Sequence, residues 1–220
     1  MRQILLINPN SSVATTDMMV GIAAACVPHT VRVVGATAQR SPPMITTVTT
    51  LAASAAEVVD IGVRDGADFA GIIVSAYGDP GLEALRERVA IPVVGICEAS
   101  MIEAAAGGRR FGVATVTPEL VDAISARARD LQLLHLYSGA RVTPGDPLEL
   151  VRVPRRLEDA LVVAVRACLH EDRAEAVIIG GGPLGQVAAT IQPLFDRPII
   201  APIPSAVRRL LALMTIGQQG

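Results

Sequence analysis

The sequence predicts an α/β fold of two pseudo-symmetric, doubly wound lobes with mainly parallel sheets and a cleft between them. Three observations predict it. Gly71-Ile72-Ile73-Val74-Ser75-Ala76-Tyr77-Gly78-Asp79-Pro80-Gly81 and Ala176-Val177-Ile178-Ile179-Gly180-Gly181-Gly182-Pro183-Leu184-Gly185 are apolar β-branched runs that break into Gly and Pro. Strands buried on both faces of a parallel sheet read this way where they emerge at their carboxyl ends. Each run is followed by a helix-permitting stretch and a second apolar strand that opens at proline, Ile91 to Ile96 and Arg197 to Ala201. The spacing nearly repeats, 16 positions from Ala76 to Pro92 and 17 from Gly181 to Pro198, which puts Ala76 and Gly181 at equivalent points.

The remaining elements follow in order. Residues 2 to 8 read as the opening strand, and Asn10, Ser11 or Ser12 can cap a helix over about 13 to 26. Residues 31 to 36 form a second strand. Ser41 to Thr50 holds two prolines and four threonines, which suits an ordered loop over the sheet edge or a plain connector that caps the helix over 50 to 65. Cys97 to Ala104 starts a helix with acidic residues in its first turns. Gly107-Gly108-Arg109-Arg110 then breaks the chain, dividing residues 1–106 from 107–204, with 205–220 returning to the first lobe. The second lobe reads as strand 111–116, helix 118–131, strand 134–142, helix 155–171, strand 176–180, helical stretch 186–194 and strand 198–201. Val207, Leu210, Leu211 and Met214 then recur at helical spacing in a terminal helix.

Composition narrows the function. Half of the 220 residues are apolar but only 2% are aromatic, so the core is built from Val, Ile, Leu and Ala. A net charge of −2 without a basic block argues against nucleic acid. No apolar run reaches the ~18 residues of a membrane span, and the amino terminus lacks a signal peptide's layout. Cys26, Cys97 and Cys168 are odd in number and widely spaced, which fits a reducing cytoplasm and no zinc knuckle. The expected partner is a small-molecule substrate, and the aliphatic excess suggests a homo-oligomer.

Ile7-Asn8-Pro9-Asn10-Ser11-Ser12, Gly78-Asp79-Pro80-Gly81-Leu82, Pro92-Val93-Val94-Gly95-Ile96-Cys97-Glu98-Ala99-Ser100 and Pro198-Ile199-Ile200-Ala201-Pro202 together span most of the chain. In these strings the sequence resembles the aspartate/glutamate racemase superfamily, and within it the hydantoin and allantoin racemases. The resemblance implies two α/β lobes and a cofactor-free, metal-free site between them, where one cysteine removes a proton beside a carbonyl and a second returns one from the opposite face. Here the family's first cysteine falls on Ala76 and its second on Gly181, and neither side chain carries a proton. The chain reads as a natural branch without the thiol pair.

Other groups must then serve. Tyr77 beside the vacated position is a candidate oxyanion donor or acid, or a packed aromatic. Asp79 and Glu98 are the acidic candidates, each also explicable as a helix-end residue. Asn8, Asn10, Ser11, Thr46, Thr47, Thr115 and Thr117 offer neutral donors and acceptors for a ureide or carboxylate. Ser75 and Ser205 offer hydroxyls, Ala76 and Gly78 line the first strand end, and Gly181 and Gly182 present backbone N–H groups or simply a tight turn. Cys26 and Cys168 read as small buried hydrophobes, Cys97 as a thiol near the cleft, and His29, His135 and His170 as surface or structural residues. The expected activity is a cofactor-independent reaction of a small polar carbonyl compound through an enolate-like or oxyanion state. A decarboxylase or other lyase, a hydrolase, and a non-catalytic ligand-binding homologue are the alternatives.

Overall fold

The computed structural model describes residues 1–216. Two four-stranded parallel sheets organise it. In the first, β1 (Arg2–Asn8), β2 (Val31–Thr37), β3 (Gly71–Val74) and β4 (Val93–Gly95) lie in the order β2-β1-β3-β4. In the second, β5 (Phe111–Thr115), β6 (Tyr137–Val142), β7 (Ala176–Gly180) and β8 (Ile199–Ile200) lie in the order β6-β5-β7-β8. The same order, element for element, confirms the repeat read from the two glycine-ended strands. β1 pairs β3 with Ile7 opposite Val74, and β5 pairs β7 with Thr115 opposite Gly180. Two equivalent pairs of carboxyl ends result.

The helices are α1 (Val13–Ala24), α2 (Val48–Asp65), α3 (Leu82–Arg86), α4 (Ile96–Ala104), α5 (Val121–Asp130), α6 (Pro147–Leu150), α7 (Pro154–His170), α8 (Gly185–Ile191) and α9 (Pro202–Ile216). Ser12 is the residue that caps α1, its hydroxyl accepting from Thr15 N at 3.2 Å. Ile96, expected to end a strand, instead opens α4 directly after Gly95, because the β4 ladder stops there and α4's first N–H groups find a carboxylate. The α6 turn was not expected; Asp146 caps it and Pro147 opens it.

The sheets share a core. Ile4, Leu6, Ile73 and Val94 of the first sheet join Phe111, Val113, Ile178 and Ile200 of the second in one buried cluster with α4 and α9. Each such aliphatic side chain contributes roughly 1.5–3 kcal/mol on burial, so the lobes are joined chiefly by apolar packing. Smaller clusters fill the outer faces, under α2 and α3 on one side and under α7 and α8 on the other. Helix α9 packs on α4, α1 and β3. Among the described residues no helix is long and apolar enough to cross a membrane.

Candidate active site

The carboxyl ends of β3 and β7 meet at one cavity of about 610 Å³ including its open mouth. Ser75, Ala76 and Tyr77 line it from the first sheet, and Gly180, Gly181, Gly182, Pro183 and Leu184 from the second. Parallel sheets place ligands at such ends. Met44, Ile45, Leu51, Leu120 and Val151 supply the apolar wall, and Asn10 and Thr117 supply polar side chains. A second, larger compartment shares Asn10, Met44, Val151, Pro183 and Leu184 with the first and adds Met18, Leu148, Leu157 and Val187.

The cavity's polar groups are arranged by their neighbours. Buried Asn8 donates to Asn10 Oδ1 at 2.9 Å and to Thr16 Oγ1 at 2.9 Å, so it shapes the turn without lining the cavity. Asn10 Oδ1 also accepts from Ser12 N at 2.9 Å, which commits the oxygen and leaves the amide nitrogen available. Thr115 donates its one hydroxyl hydrogen to Gly180 O at 3.0 Å. Thr117 Oγ1, 3.1 Å from Thr115 Oγ1, is therefore the donor of that pair and keeps lone pairs for a ligand. Among the described residues, the backbone N–H groups of Ala76, Tyr77 and Gly182 donate to no backbone carbonyl. Donors thus come from both strand ends.

The three acidic and phenolic candidates are placed differently. Tyr77 touches the cavity, but its hydroxyl is buried without a hydrogen-bond partner. Burial, with Cys97 nearby, pushes it well above the usual phenol value, so the group stays neutral. Asp79 and Glu98, expected as the acidic candidates, do not line the cavity. Asp79 turns away because its backbone is left-handed, at φ 51°, and its carboxylate accepts from Cys97 N at 2.8 Å and Glu98 N at 2.7 Å at the start of α4. Gly95 makes room for it: a Cβ there would stand 2.2 Å from Asp79 Cγ. Glu98 is held by Arg86 and by Arg127 at 2.9 Å. Burial pushes Asp79 up to about 7, against Arg127 and the two backbone N–H groups that pull it down.

Several expected substrate holders have structural duties. Thr47 caps α2 in a reciprocal box with Thr50, and Thr46 precedes it outside the cavity lining. Ser11 N donates to Pro42 O at 3.2 Å, pinning the Ser41 to Thr50 loop that carries Met44 and Ile45 to the cavity. Ser205 Oγ donates to Ala201 O at 3.0 Å, within α9's first turn. Gly78, at φ 122°, faces Leu51 and not the cavity, and a Cβ there would stand 2.7 Å from Leu51 Cδ2. Ser75, which does line it, directs its hydroxyl to Met19 Sδ at 3.1 Å. The apolar wall and Arg127 escaped the sequence reading, since nothing local distinguishes them from ordinary core and surface residues.

None of Cys26, Cys97 and Cys168 lines the cavity. Cys97 and Cys168 are buried, and burial raises both thiols, Cys168 to about 12, so neither is a ready thiolate. Among the described residues no three His, Cys, Asp or Glu side chains gather as metal ligands.

A family profile described as Asp/Glu/Hydantoin racemase matches residues 4–210. The chain belongs to the Asp/Glu/hydantoin racemase family. A hydantoin racemase of Pseudomonas sp. (strain NS671) is 27% identical over 227 residues, covering 99% of this chain and 88% of the relative. The allantoin racemase of Pseudomonas fluorescens superposes with a TM-score of 0.93 at 25% identity, covering 98% of this chain and 92% of that one. Arylmalonate decarboxylase shares the fold, with a TM-score of 0.67 at 16% identity over 96% of this chain and 92% of its own. Within this family fold, the member described here presents alanine and glycine at the two facing strand ends.

Proposed function

We propose that this family member is a cofactor-independent enzyme acting on a small polar carbonyl compound, a cyclic ureide of the hydantoin type or a related carboxylate. The reaction passes through an enolate-like or oxyanion state and does not use a pair of cysteines. The observation that carries this reading is that Ala76, Tyr77 and Gly182, whose backbone N–H groups donate to no backbone carbonyl, line one cavity from two opposed strand ends. Preorganised amides in an apolar surround stabilise developing negative charge on oxygen without reorganising. Thr117 Oγ1 as acceptor and Asn10 Nδ2 as donor complement the N–H and C=O groups of a ureide. The apolar compartment formed by Met18, Leu148, Leu157 and Val187 suits a non-polar substituent on that ring. The hydantoin and allantoin racemases among its relatives support the ureide class.

A second reading is favoured by one observation: among the described residues, Tyr77, held neutral by burial, is the sole titratable one lining the cavity between the strand ends. Decarboxylation needs no general base. The bond from the carboxylate to the adjacent carbon breaks, carbon dioxide leaves, the electron pair remains as an enolate held by the amides, and water returns a proton. Proton NMR in deuterium oxide with hydantoin, 5-substituted hydantoins, allantoin and substituted malonates separates the readings. Deuterium in intact ureide supports carbon-acid chemistry, and carbon dioxide loss from a malonate supports the second. Folded protein that neither exchanges nor converts any of them, and is not thermally stabilised by any, would overturn both.

A further inference from the structure

The side-chain ionic contacts between the two lobes converge on one residue. Among the described residues, and with α9 counted with the β1–β4 lobe on which it packs through Arg208–Glu103 and Arg209–Glu98, every ion pair that joins that lobe to the β5–β8 lobe is made by Arg127 of α5. Its Nε lies 3.3 Å from Asp79 Oδ2, its Nη2 2.9 Å from Glu98 Oε2, and its Nη1 3.0 Å from Glu83 Oε1. The Arg127 side chain is only 11% exposed, and those of Asp79 and Glu98 are 0% and 3% exposed. A planar guanidinium with five N–H donors can serve three carboxylates at once, which a lysine ammonium on its flexible stem cannot do in the same geometry.

One of these partners belongs to the turn that builds the cavity. Asp79 follows Ala76, Tyr77 and Gly78 directly, and its carboxylate is also fixed to the N–H groups that open α4. Arg127 therefore ties the β3 strand end to the lobe that carries Gly181 and Gly182. We propose that Arg127 is a positioning residue that sets the separation of the two strand ends, and with it the spacing between the amides of Ala76 and Tyr77 and that of Gly182. The catalytic meaning of those amides rests on the function proposed above; the positioning itself does not, and its test needs no substrate.

Amide hydrogen exchange on the full chain reads this out. In Arg127→Met, exchange in segments 75–81 and 181–185 rises about tenfold or more relative to β1 and β5 core amides, in both lobes together. Arg127→Lys recovers part of that protection, and Glu83→Gln, which alters the 63% exposed partner, leaves both segments near wild type. Uniform acceleration across the chain, or unchanged exchange in both segments of a folded variant, would overturn the proposal. Should the variant not fold, unaltered protein supplies the same test through pH. Asp79 faces Arg127 from α5, Cys97 and Glu98 from α4, and Tyr77 from its own turn; Glu83 and Arg86 of α3 complete the network. Since burial raises Asp79 from 3.8 to about 7, protonation opposes any opening that exposes it, and exchange in both segments, corrected for intrinsic pH dependence, falls relative to the core as pH is lowered from 8 to 6. A flat profile would contradict the clamp.

Discussion

The turns after β3 and β7 occupy equivalent places in the repeat and are built in opposite ways. The first, from Ala76 to Gly81, is anchored by charge: Asp79 reaches the start of α4 and Arg127 of the other lobe. The second, from Gly181 to Gly185, is held by short backbone bonds, Gly181 N to Ile179 O at 3.0 Å and Gly185 N to Gly182 O at 3.3 Å. Its shape depends on side chains that are missing, since a Cβ at Gly182 would stand 2.7 Å from Met19 Sδ. Two lobes with one topology thus place one wall of the cavity by electrostatics and the other by volume. The first wall answers to charge and pH, and the second to added atoms.

The largest expected effect is on the charged wall. Gly95→Ala puts a methyl group where the Asp79 carboxylate sits, with Cβ 2.2 Å from Cγ, and must expel it from two buried N–H groups. Losing charge-assisted bonds worth roughly 1.5–3 kcal/mol each predicts destabilisation of about 3 kcal/mol or more in urea unfolding. A wild-type midpoint would show that the carboxylate is not seated there.

Next comes pH. Asp79 is raised from 3.8 to about 7 in the folded chain, so between these values the native state holds a proton that the unfolded state lacks. The stabilising contribution is complete below about 4 and is lost as pH rises through about 7, with a slope of at most about 1.4 kcal/mol per pH unit. Asp79→Asn should flatten that part of the stability profile. An unchanged slope in the variant would remove Asp79 as its source.

The smallest effect belongs to the other wall. Gly182→Ala meets the end of a flexible methionine, so the cost in stability is about 1 kcal/mol. Ligand binding should suffer more than stability, because the new methyl group, directed at buried Met19 and Ile96, is accommodated by displacing the Gly182 wall of the cavity. Equal losses in both would show that this turn is structural only.

The repeat, the parallel strands and the cavity-lining positions Asn10, Ser75, Ala76, Tyr77, Thr117, Gly181 and Gly182 were legible because β-branched runs ending in glycine carry their own context. Asp79 and Glu98 were not. A carboxylate in a turn reads alike whether it faces a cleft or the N–H groups of a helix, and the deciding partner, Arg127, lies 48 residues from Asp79 in a helix that also bears Arg129. The Thr46-Thr47 pair is ambiguous for a related reason. A threonine that caps a helix and one that holds a substrate use the same hydroxyl, and only Thr50 three residues on marks the cap. Leu51, Leu120 and Val151 on the cavity wall are apolar residues that only the tertiary structure separates from the core.

The central claim is that this cavity works without a thiol. The direct measurement is proton NMR in deuterium oxide on the wild-type protein and on Cys97→Ala, which alters the thiol that burial holds in its protonated form beside Tyr77. Deuterium incorporation, or carbon dioxide loss, at closely similar rates in both proteins is the predicted result. Chemistry present in the wild type and abolished in a folded Cys97→Ala variant would contradict the account and return a cysteine to the mechanism.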